Sequence, residues 1–133
     1  YADLMWSDNA RTQVWMWLGS NTGFFTARYL TSYPTGWNPV GVGDIDGDGN
    51  DDVVWYQPTL GQVGYWRMNG TGYNYVGTFV VATRFSVVAV KDFNGDGRAD
   101  ILWRDSANTE LWIWQATAGG AGFSANFVRS YPQ

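Results

Sequence analysis

The chain has 133 residues, of which 45% are apolar, 18% aromatic and only 15% charged, enough for one ordinary domain with a real core. It holds no Cys and no His, which excludes disulfide staples, the usual general base and the commonest transition-metal ligand. The net charge of −4 comes with no basic patch of the kind nucleic acid needs, and no apolar run approaches a membrane-spanning length.

Strand formers dominate, and the chain has one Glu and one Lys, so the predicted elements are strands. "ADLMW" from Ala2 and "QVWMW" from Gln13 alternate between two faces and flank the polar turn "SDNART". "FFTARYL" follows as a third strand, and Trp37 lies in the loop before the apolar run "PVGVG". That run feeds "DIDGDGNDD", Asp44 to Asp52, which places five carboxylates in nine residues. "DVVWY", the turn "QPTLG", a strand from Gln62 to Trp66 and "YNYVGTFVV" come next. "SVVAV" then leads into a second acidic loop, "DFNGDGRAD", Asp92 to Asp100. "ADILW", the turn "DSANT", "ELWIW" and a closing "FVRSYPQ" complete the chain.

These elements repeat. Asp3, Asp52 and Asp100 are 49 and 48 residues apart, and Trp6, Trp55 and Trp103 stand three positions after them. Gln13, Gln62 and Glu110 follow at equal spacing, then Trp17, Trp66 and Trp114. Four short strands at a period near 48 predict an all-β chain of β-propeller blades, each of four antiparallel strands. The expected divisions are an incomplete blade at 1–37 and complete blades at 38–84 and 85–133. A blade must stack to bury both faces, so the register tryptophans are expected to pack between blades.

"VGDIDGDGNDDVVW" and "VKDFNGDGRADILW" resemble the FG-GAP or VCBS-type repeats of integrin-α propellers and of many secreted bacterial and fungal proteins, propeller lectins among them. The resemblance covers nearly the whole chain. It implies that each acidic loop joins the innermost strand of a blade to the second.

Calcium takes six to eight oxygens, and a nine-residue loop with ligands at its first, third, fifth and ninth positions can wrap it. In the first loop these are Asp44, Asp46, Asp48 and Asp52, with the Asn50 carbonyl as a backbone ligand. In the second they are Asp92, Asn94, Asp96 and Asp100, with the carbonyl of Arg98. Gly47, Gly49, Gly95 and Gly97 let the backbone turn. An EF-hand would need a Glu at position twelve, where Trp55 and Trp103 stand; the ninth-position Asp replaces it, as in the propeller family. Two calcium ions per chain are therefore expected, in a structural role.

Asp3 matches a ninth-position ligand whose loop is absent, so the first unit lacks its inner strand. Three blades cannot close a propeller. The expected partner is thus a second copy of the chain or the rest of a longer propeller. An enzyme is not expected, because the loop spacing assigns the clustered aspartates to metal. The family's lectins bind sugars on or between blades, so a carbohydrate-binding module is expected, with glycans as ligands. Aromatics out of repeat register are the candidates: Trp15 and Trp112, which align with Gly64, together with Trp37 and Tyr65. The competing expectation is a structural or adhesive module in a cell-surface or filamentous assembly. Either places the chain outside the cell or on its surface, without insertion into the membrane.

Overall fold

The computed structural model describes residues 4–8, 10, 12–69, 72–105, 107 and 109–130. The chain is all-β. Its strands are β1 (Leu4–Asp8), β2 (Gln13–Gly19), β3 (Phe25–Ser32), β4 (Asn38–Gly43), β5 (Asp52–Gln57), β6 (Gln62–Met68), β7 (Tyr73–Val80), β8 (Phe85–Lys91), β9 (Asp100–Asp105), β10 (Glu110–Ala116) and β11 (Phe123–Ser130). A short 3-10 turn, Ala118–Gly120, separates the last two. Consecutive strands pair antiparallel into three sheets, β1-β2-β3, β4-β5-β6-β7 and β8-β9-β10-β11. Among the described residues these are propeller-type blades, two of four strands and one of three.

The repeat in sequence is a repeat in register. Trp6 pairs with Trp15, Trp55 with Gly64 and Trp103 with Trp112. A register shift recurs at the same repeat position between the second-to-last and last strands, after Val14, Val63 and Leu111. Such a bulge increases the local twist and bends the outer strand.

The chain divides into two compact units, Tyr1–Trp37 and Asn38–Gln133. In the first, Val14 and Met16 are buried and Tyr33 is tied by its N–H to the Thr12 carbonyl at 2.9 Å. The opposite face carries Trp6, Trp15, Trp17 and Phe25, all exposed. Trp6 at 52% and Trp17 at 40% exposure depart from the packing role expected of register tryptophans. Their rings instead lie tilted against one another, Trp6 and Trp17 at 5.5 Å and 53°, Trp17 and Phe25 at 6.1 Å and 41°.

In the second unit two blades share one core. Val54, Tyr56, Val63 and Tyr65 on one face of the β4–β7 blade meet Ile101, Trp103 and Ala99 of the β8–β11 blade. Trp103 is fully buried, with the Tyr56 ring edge-on at 5.4 Å, and Phe79 meets Phe123 edge-on at 5.2 Å. Alternation explains which side chains reach the seam: Val54 lies opposite Tyr65, and Tyr56 opposite Val63, so all four project to one side. The inner strands β4 and β8 approach closely because Gly41 has no side chain. A Cβ there would fall 2.8 Å from the Val90 Cβ.

Candidate functional site

The two acidic loops occupy the turns from β4 to β5 and from β8 to β9, the connection that the repeat resemblance implies. Both close on their own carboxylates. Asp44 accepts the amides of Gly47, Asp48 and Gly49 at 2.7–3.1 Å. Asp92 accepts those of Gly95, Asp96 and Gly97 at 2.8–3.2 Å. The amides of Gly97, Gly95 and Asp96 hold the Asp92 carboxyl below its ordinary value, with the Gly97 N–H the largest cause. Gly47, Gly49, Gly95 and Gly97 all have positive φ, between 77° and 93°, as the tight wrap requires.

In the first loop Asp44, Asp46 and Asp48 each bring one carboxylate oxygen within 4.8 Å of the others. Asp48 accepts the Asn50 amide at 2.8 Å, and its counterpart Asp96 accepts the Arg98 amide at 2.9 Å. Asn94 accepts the Asp96 amide at 3.0 Å, as Asp46 accepts that of Asp48. The two loops are thus the same structure in different letters. An all-oxygen donor set without nitrogen or sulfur suits a hard cation.

The ninth-position aspartates do something the spacing does not announce. Asp52 is fully buried, and its two oxygens accept the amides of Ile45 and Met68 at 2.9 and 3.0 Å. Asp100 accepts those of Phe93 and Ala116 at 3.0 and 3.1 Å. Each therefore pins the start of its loop to the end of the third strand of its blade. Burial pushes the Asp52 carboxyl up to about 6, against two amide hydrogen bonds that lower it, while Asp46 and Asp48 add to the rise. The corresponding Asp3 lies outside the described residues.

Two arginines complete the loops, and sequence reading passed over both side chains. Arg67 pairs with Asp46 and donates Nη2 to the Gly119 carbonyl at 3.0 Å. Arg98, counted only for its carbonyl, pairs through Nη2 with Asp96 at 2.7 Å and donates Nε to the Ala116 carbonyl at 3.1 Å. The available signal was that Arg67 breaks the repeat, since Leu18 and Gln115 stand at the equivalent positions.

The four aromatic candidates fall in three environments. Trp15 stands edge-on to Tyr29 at 5.4 Å and 67°, and Trp112 edge-on to Phe127 at 5.5 Å and 68°. Each indole N–H is held by the residue two before it, Trp15 by Gln13 at 3.4 Å and Trp112 by Glu110 at 2.9 Å. Trp112 also lines a cleft of about 260 Å³ with Arg84, Phe85, Trp103 and Trp114. In the middle blade the corner is filled: a Cβ on Gly64 would fall 2.7 Å from the Tyr75 ring. Tyr65 is 1% exposed, and its hydroxyl donates to the Gly120 carbonyl at 2.6 Å across the seam. Trp37 is half-buried, with its amide 3.4 Å from the Pro34 carbonyl.

An FG-GAP-like repeat model matches residues 1–55 and 44–103, and an FG-GAP repeat model matches residues 84–124. The chain belongs to the FG-GAP repeat family. Comparisons with curated proteins and with solved structures find no match. The FG-GAP matches run through both acidic loops and all three blades, so the loops are part of the repeat itself. Among the described residues, no helix of this FG-GAP chain is long and apolar enough to cross a membrane.

Proposed function

We propose that this FG-GAP chain is an extracellular or cell-surface binding module whose blades are held by two calcium ions and whose ligand is carbohydrate. The calcium part is supported by the loop geometry: three carboxylate oxygens within 4.8 Å in the first loop, and a matching turn in the second. Asp44, Asp46, Asp48 and the Asn50 carbonyl would hold one ion. Asp92, Asn94, Asp96 and the Arg98 carbonyl would hold the other. Asp52 and Asp100 stand behind them as braces, with oxygen lone pairs left for the metal. The ion supplies positive charge where carboxylates crowd, and so favours the folded loop by mass action. Elemental analysis of protein purified without chelator should give about two calcium atoms per chain. Zinc, or no metal, would overturn this part.

One observation carries the carbohydrate reading: the aromatic corner that recurs at Trp15 and Trp112, at the repeat position where the β4–β7 blade has Gly64. A ring face can stack on the apolar side of a pyranose while neighbours hydrogen-bond its hydroxyls. Tyr65, engaged across the seam, is left out of this site, and so is Trp37. A glycan array is the test. Binding to one sugar class that is lost in Trp112→Ala supports the reading, and a blank array with folded protein sinks it.

A second reading has its own support in the exposed face of Trp6, Trp15, Trp17 and Phe25. Apolar faces of that kind mark interaction surfaces. Covered by another blade, from a second copy or from a longer propeller, this face would make the chain a structural or adhesive module. Neither reading is enzymatic: among the described residues the loop carboxylates are engaged by backbone amides and arginines.

A further inference from the structure

We propose that the two metal loops are coupled across the blade seam, so that an ion in either loop raises the affinity of the other. The inference rests on the calcium reading above. It starts from two physical routes between the loops.

The first route is direct. Ala99, between Arg98 and Asp100 of the second loop, donates its N–H to the carbonyl of Asp44, the first residue of the first loop, at 2.6 Å. Beside it the stem of Arg98 lies over Gly47, where a Cβ would sit 3.3 Å from the Arg98 Cγ. The second route runs through Arg67. It pairs with Asp46 and reaches the Gly119 carbonyl in the 3-10 turn. That turn begins just after Ala116, which the second loop grips from both sides. Asp100 accepts the Ala116 amide at 3.1 Å, and Arg98 donates to the Ala116 carbonyl at 3.1 Å. Both routes therefore begin on a proposed ligand of one loop and end on residues that hold the other.

An ion that draws in Asp44 and Asp46 fixes the backbone and the guanidinium on which these contacts depend. The second loop then has less freedom to lose when it closes, which is positive coupling. Arg67 is a positioning residue here. It engages the Asp46 Oδ2 and leaves the other oxygen for the loop, as outer partners of metal ligands commonly do. Direct repulsion between two divalent ions opposes the effect, so the sign of the cooperativity tests the proposal.

The test is a calcium titration of the intact chain by calorimetry. The wild-type isotherm is expected to be cooperative, with the second ion binding about fivefold or more tightly than the first in the absence of its neighbour. Asp96→Asn, which disables the second loop, should weaken the first loop by that factor. Asp48→Asn should weaken the second loop equally, since coupling is reciprocal. Arg67→Met keeps every ligand and should still bind two ions, with reduced cooperativity. It carries the test alone if the Asn variants lose strand content. Independent or mutually antagonistic sites in the wild type would overturn the proposal, and undiminished cooperativity in Arg67→Met would overturn its Arg67 route and leave the contact of Ala99 with Asp44 as the carrier. No calcium uptake at all would sink the metal reading and this inference together, whereas uptake at two uncoupled sites sinks only the inference.

Discussion

Asp52 shows what one carboxylate does in this chain. Buried against the amides of Ile45 and Met68, it holds its proton up to about 6, where the ordinary value is 3.8. In chelator, the folded state thus binds more protons than the unfolded chain between about pH 4 and pH 6. The stability from this group is fully present below about pH 4 and is lost as pH rises to about 6. Asp92, held below its ordinary value, acts the opposite way at lower pH, so the two windows separate. A melting series in chelator and the Asp52 carboxyl carbon shift should both report a transition near pH 6. Saturating calcium should pull that transition down, because a cation favours the ionised form. A carboxyl shift that titrates near 4 in chelator would contradict the burial argument. Gly120 is the other decisive residue. It has φ of 70°, and a Cβ would fall 2.7 Å from that of Asp46. Gly120→Ala should destabilise the chain by about 1–3 kcal/mol in urea titrations.

At the level of the element, each acidic loop is a clasp between an inner strand and the two strands beyond it. Chelation, or Asp48→Ala at the first loop, should lower the melting temperature and leave much of the far-ultraviolet strand signal. The ring contacts of Trp103 in the seam, to Tyr56 and Trp114, involve no loop residue. Trp103→Ala should cost about 3–5 kcal/mol, and a loss below about 1 kcal/mol would show that the seam is not the main core. The strands and both loops were legible in the sequence because alternation and turn chemistry are local, and repetition at one period removes ambiguity. The brace by Asp52 and Asp100 was not legible, since spacing marks a carboxylate without saying which amides it will meet. Arg67 was hidden for the same reason: its partners Asp46 and Gly119 lie 21 and 52 residues away in the chain. Trp6 and Trp55 share a register position, yet one is 52% exposed and the other 2%. Register fixes which face a side chain joins; its neighbours decide whether that face is covered.

Across the whole molecule, the exposed tryptophans of the first blade predict association. Light scattering on the intact chain should give species larger than a monomer. Trp6→Arg with Trp17→Arg should return it to monomer without loss of calcium. A monodisperse wild-type monomer would show that water tolerates this face. The shared core of the second unit also has a direction: the valine and tyrosine face of one blade takes the tryptophan face of the next. Beyond the seam, the last blade presents Leu102, Leu111 and Ile113, half-buried, on its valine-type side. A two-fold dimer would set tryptophan face on tryptophan face, which does not reproduce this fit. Contacts that do reproduce it are head-to-tail, so copies joined in this way share a rotational sense. They terminate only if that rotation closes into a ring, and otherwise add without limit in one direction.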